Sequence, residues 1–169
     1  MKRRLSALGL AAGLLLAGGT GEAAQSSRTV TANTGARIIT AISITKLVDL
    51  EFKDIVPGAA AGTVVMSPAG VRTSTGGATL GTGVGSSPAS FRVSGQPSAR
   101  FAIVLPNSVA VSNGVQTMTV NTFRRAPGGA GNLGAGGAQT ISVGATCRVA
   151  ANQAGGTYTG NFNVTVTYN

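Results

Sequence analysis

A chain of 169 residues with 10% charged residues and no histidine has little material for acid–base chemistry, because the commonest general base and zinc ligand is missing. Thirteen Lys and Arg against four Asp and Glu leave a formal charge of +9, and the single cysteine excludes an intramolecular disulfide. With 26 glycines and 43% apolar residues, the composition suits an all-β domain in which Thr and Val fill strands and Gly fills turns.

Lys2, Arg3 and Arg4 precede an apolar run from Leu5 to Ala17 and small residues through Ala24, the order of a secretory signal peptide. The run is too short to span a bilayer. Residues 1–24 are therefore expected to be a cleaved leader, with cleavage after Ala23 or Ala24 and export to the periplasm, then to the cell surface or beyond. The remaining 145 residues suffice for one domain with a core, and carry ten basic residues against Asp49, Glu51 and Asp54.

Even positions from Val30 through Ala32, Thr34, Ala36, Ile38, Thr40 and Ile42 to Ile44 alternate in the period of a strand. As one strand they would span about 50 Å, too long for a sandwich, and Gly35 is the natural break. Residues 25–36 are read as an extended arm and 37–169 as the folded domain. Within it, strands are expected near 38–45, 48–52, 62–67, 71–74, 90–94, 101–105, 116–123, 139–149 and 161–168, with no sustained helical period. Pro68–Gly70 and Gly95–Ser98 mark two hairpins, and the half-glycine stretch from Ala126 to Ala138 reads as a mobile surface loop. Cys147 falls on the apolar side of Ile141, Val143, Ala145 and Val149, which predicts a buried, reduced thiol sharing a core with Ile141, Val143, Phe162 and Val166. The chain ends on a strict alternation of Phe162, Val164, Val166 and Tyr168 with Asn and Thr.

The chemistry-bearing patterns are few. Asp49 and Glu51 share one strand face about 7 Å apart, and Lys46 and Lys53 balance them there, so a solvated face is favoured over weak calcium binding. Gly129, Gly131 and Gly134 match GxGxxG, but only more Gly and Ala follow and no acid lies downstream to hold a ribose. The basic residues are dispersed and the aromatics sit in core-like positions, so nucleic acid is not an expected partner, whereas attraction to anionic envelope polymers is. No catalytic, metal-binding or cofactor-binding residues are assigned, and an enzyme is not expected.

ITKLVDLEFKDIVPG (Ile44 to Gly58), GTVVMSPAGVR (Gly62 to Arg72), FRVSG (Phe91 to Gly95), FAIVLP (Phe101 to Pro106) and GGTYTGNFNVTVTYN (Gly155 to Asn169) together resemble a secreted bacterial family known as domain of unknown function 4402. The tail is also similar to that of chaperone–usher pilins, in which a glycine fourteen residues from the end precedes alternating apolar residues and a penultimate tyrosine; Gly156, Phe162, Val164, Val166 and Tyr168 stand at those positions. The pilin resemblance implies an immunoglobulin-like antiparallel β-sandwich whose tail meets a periplasmic chaperone, then a neighbour's donor strand, with an outer-membrane usher as a further partner. On this reading the protein is an exported structural or adhesive subunit of a fimbrium that self-assembles by strand exchange. Val30, Ala32, Thr34 and Ala36 act as donor, and the groove beside the C-terminal strand accepts. The alternative is a self-complete monomeric sandwich that binds glycan or another envelope component.

Overall fold

The computed structural model describes residues 27–169, so the expected leader lies outside the described residues. The chain divides after Ala36 into two units. In the first, residues 27–36 form no strand and every one is exposed, Val30 at 89%.

The second unit is an all-β sandwich in which every strand pairing is antiparallel. Its larger sheet joins β1 (Ser43–Val48), β2 (Ile55–Met66), β3 (Arg72–Leu80), β4 (Ala89–Ser94), β6 (Ser108–Ser112), β7 (Thr117–Ala126) and β9 (Ala138–Val149). The smaller sheet joins β5 (Arg100–Val104), β8 (Gly131–Asn132) and β10 (Thr165–Tyr168) in the order β10-β5-β8. β9 is the organiser. Its first half pairs with β4 and its second half with β2, while β7 pairs with it across both halves. β2 and β4 therefore follow one another along one edge of β9 and meet near Gly144. A Cβ on Gly144 would collide with the Met66 carbonyl oxygen, and Ser67 and Pro68 lie beside it, so glycine lets the end of β2 lift off the sheet there.

Two irregularities aim side chains. Val120 faces inward opposite Cys147, and strict alternation would next turn Thr122 inward and Phe123 outward. A register shift between Asn121 and Arg124, with Thr122 at φ 52°, inserts one extra residue, so Phe123 packs inward and Arg124 stays outside. The β2–β3 hairpin bends more sharply, with a register shift between Pro57 and Gly62. There Gly77 is pressed against the Ala60 backbone and Gly76 adopts φ 68°. Nine strand residues would span about 30 Å, yet one Arg72 guanidinium, at the start of β3, donates to the carbonyl oxygens of Phe52, Asp54 (3.2 Å) and Gly81 (3.1 Å), the last just beyond the end of β3.

The interior holds two clusters. One joins Phe91, Val93, Phe101, Leu133, Ile141 and Val143; the other joins Val64, Ala78, Val120, Ala145, Cys147 and Val149. Cys147 is buried and free, but its neighbours are those of the second cluster, whereas Ile141, Val143, Phe162 and Val166 belong to the first. The expected shared core is corrected accordingly: both halves of β9 face inward, but they pack under different partners.

Further expectations change for local reasons. The alternation from 30 to 44 becomes a strand only from Ser43, and Ile38 is 98% exposed. Residues 48–52 are not a strand of their own; only Glu51 bridges Ser87. Gly95–Ser98 is a corner between sheets and not a hairpin, since β4 and β5 do not pair. β6 is an additional strand. The glycine-rich stretch is anchored and not a free surface loop. Gly131 lies against the Phe101 ring, Leu133 is fully buried, and Leu133 N–H donates to the Ala99 carbonyl at 3.0 Å. Gly131 is therefore a packing residue, and no helix follows the GxGxxG pattern.

Candidate partner-binding groove

Between the two sheets the sandwich is open along one side. One wall is β1 with residues 49–54, and the other is the C-terminal segment from Gly156 to Thr165. Each wall is fixed from its far side. Glu51 exchanges backbone hydrogen bonds with Ser87 at 2.8 and 3.0 Å, and the Arg72 guanidinium holds the Phe52 and Asp54 carbonyls. On the C-terminal side, Thr159 exchanges backbone bonds with Ser112 at 2.8 and 2.9 Å. Gly160 is held so close to β6 that a Cβ there would sit 2.5 Å from the Ala110 carbonyl oxygen.

The floor is apolar. Ala89, Phe91, Val120, Phe123 and Cys147 line a cleft of about 740 Å³ between the 48–55 and 156–162 stretches. A second cleft of about 440 Å³ continues it between Ile44 and Lys46 on one side and Asn163 to Thr165 on the other. Phe91 and Phe162 belong to both. Phe162 is wedged at the junction, edge-on to Phe91 with ring centres 6.1 Å apart and tilted against Phe123 at 5.1 Å. Burial also pushes the Cys147 thiol up to about 11, so at neutral pH it is a protonated, apolar part of the floor.

Backbone pairing leaves the groove unfilled. β1 pairs only with β4 and β10 only with β5, and among the described residues no backbone hydrogen bond reaches the second edge of either strand. A strand laid between them would find N–H and C=O groups on both sides. All three carboxylates of the described residues stand on one wall. Asp49 pairs with Lys46 at 2.7 Å and Glu51 with Lys53 at 3.6 Å, while Asp54 has no ion pair among the described residues. These exposed pairs add little stability, as expected for a solvated face. Among the described residues no three His, Cys, Asp or Glu side chains gather to hold a metal.

The residues singled out in the tail come together here. Phe162 and Val164 line the groove, and Val166 packs on the first cluster. The Tyr168 hydroxyl accepts from Gln96 N–H and donates to the Thr40 carbonyl, both at 2.6 Å, which pins the last strand to the corner between β4 and β5. Gly156 adopts φ 145° beside Asn113, at the start of the wall. Val30, Ala32, Thr34 and Ala36 lie in the other unit, all exposed and unpaired among the described residues. Sequence reasoning missed the 48–55 wall, whose signal was the closing run Leu50, Phe52, Ile55, and the role of Arg72 in holding it.

No curated protein and no solved structure matches the chain. The model of one family, described as "Domain of unknown function (DUF4402)", matches residues 42–168. That span runs from half-buried Ile42 to Tyr168 and takes in every strand and both groove walls, so the chain belongs to the DUF4402 family.

Proposed function

We propose that the protein is an exported, non-enzymatic structural subunit of the cell surface, pilin-like in mode, which assembles by accepting a β-strand from a neighbour. The observation that carries this reading is the groove with an apolar floor, beside which β1 on one side and β10, from Thr165, on the other each leave a strand edge unpaired. A guest strand would gain affinity from backbone hydrogen bonds and register from side chains entering the floor at every second position. The donor is the arm of another copy. Its described part, residues 27–36, is exposed, alternates small side chains, and matches the Gly156–Thr165 wall in length, about 33 Å if both are extended. Its Arg28 also suits a wall that carries all the carboxylates of the described residues. A periplasmic chaperone would shield the groove before assembly, and an usher would order subunit exchange.

The test uses residues 25–169. Size-exclusion chromatography should give concentration-dependent polymers, while deletion of 25–36 should give folded monomers that bind a fluorescent 25–36 peptide saturably. Val30→Asp and Ala32→Asp in that peptide should abolish binding, since a charge cannot enter a dry groove cheaply. A full-length chain that stays monomeric at high concentration, with a truncated form that ignores the peptide, would return the reading to a self-complete monomeric sandwich.

A further inference from the structure

We propose that the outer face of the larger sheet, on the far side from the groove, is a binding surface for an acidic polysaccharide. Along β9 the odd residues from Ile141 to Val149 point into the core, so Thr140, Gly144 and Arg148 share the outer face. Register places Arg92 of β4 beside Thr140 and Arg124 of β7 beside Gly144. From strand rise and spacing, Arg124 on the far side of β9 thus stands about 16 Å from Arg92 and about 14 Å from Arg148, while Arg92 and Arg148 are about 27 Å apart, a zigzag along the sheet. All three are exposed, and none makes an ion pair or side-chain hydrogen bond among the described residues. The Ser67–Gly70 turn rises over Gly144 on the β2 side and gives the row one raised flank.

The charge is not a device for protecting sheet edges. Arg92 and Arg148 stand on strands paired along both sides, where no edge needs blunting. Nor is it neutralised, because all the carboxylates of the described residues lie on the 49–54 wall. Between the arginines the face carries hydroxyls and an amide, from Thr45, Ser90, Thr140, Thr146, Thr119 and Asn121. Guanidinium groups that bind carboxylate or sulfate in a bidentate manner, spaced among hydroxyl partners, fit a hydroxylated chain bearing regular anionic groups. Nucleic acid fits less well, since no aromatic ring lies on this face for bases to stack on.

The test measures binding of residues 25–169 to polygalacturonate, heparin, neutral dextran and a DNA duplex by calorimetry at two salt concentrations. Saturable binding to polygalacturonate or heparin, weakened by salt and absent with dextran, is expected, and the tighter of the two identifies carboxylate or sulfate as the recognised group. The Arg92→Gln, Arg124→Gln, Arg148→Gln triple variant should weaken it at least tenfold, while the corresponding lysine triple, which keeps the charge and loses the bidentate fork, should fall between that variant and the wild type. Arg100→Gln, which removes a charge on the other sheet, should change it less than twofold. Equal loss from Arg148→Gln and Arg100→Gln, DNA binding as tight as polysaccharide binding, or no saturable binding would each overturn the proposal.

Discussion

Replacing Leu133 with alanine tests whether the glycine-rich stretch belongs to the core. Leu133 has no exposed surface and packs in the first cluster beside Phe101, although it is flanked by Asn132 and Gly134 in a segment with one two-residue strand. Removing three buried carbons leaves a cavity, and Leu→Ala changes in cores cost about 2 to 5 kcal/mol depending on how far the site collapses. Glycines at 134, 136 and 137 allow some collapse, while the Leu133 N–H to Ala99 and Ser98 N–H to Gly134 bonds resist it. The expected loss is therefore about 2 to 3.5 kcal/mol, or roughly 7 to 12 °C in Tm for a domain of this size. The chain has no tryptophan, so urea unfolding is best followed by far-UV circular dichroism, with an unchanged slope and a lower midpoint. Leu133→Met, which keeps the volume, should cost less than about 1.5 kcal/mol. A loss below about 1 kcal/mol for the alanine variant, with the slope unchanged, would refute the anchored loop and restore a mobile one.

Tyr168→Phe keeps the ring but leaves Gln96 N–H and the Thr40 carbonyl without their partner, and should lower stability by about 1 to 3 kcal/mol in the same titration. Because the folded state holds the Cys147 thiol at about 11 against 9.0, this residue's contribution is complete below pH 9 and is lost as pH rises through 11. The stability difference between wild type and Cys147→Ala should shrink across that window by on the order of 2 to 3 kcal/mol, and a bulky maleimide should label the native thiol at pH 8 only as fast as the protein unfolds.

Strands with one dry and one wet face were legible as alternation. β4, β5, β9 and the end of the tail could be read because Phe91, Val93, Phe101, Ile141, Cys147 and Val166 recur at every second position, although of the expected strand 161–168 only Thr165–Tyr168 pairs, residues 161–164 forming groove wall instead. Alternation alone does not say whether a partner exists, and Ile38 satisfies the pattern while standing 98% exposed. The bulges were illegible for a different reason. Thr122 and Leu47 look like ordinary strand residues, and only pairing with β9 and β4 makes each the extra one. The first half of β2 is largely Ala, Gly and Pro, so its strand character comes from the bent hairpin and not from propensity. One groove wall was visible in the tail's alternation; the other depends on Arg72 reaching carbonyls some twenty residues earlier, a contact without a local signature.

The position of β9 also governs when this protein can fold. A chain made from its N-terminus presents β2, β4 and β7 before the strand that joins all three exists. Before it, the β2–β3 and β6–β7 hairpins and the longer-range β1–β4 and β5–β8 pairings are all that can form, and isolated two-stranded pairs are marginal in water. Chains cut before Ala138 should therefore behave as unjoined hairpins with sticky edges, and the intact chain should fold late and in milliseconds to seconds, at the slow end of its size class.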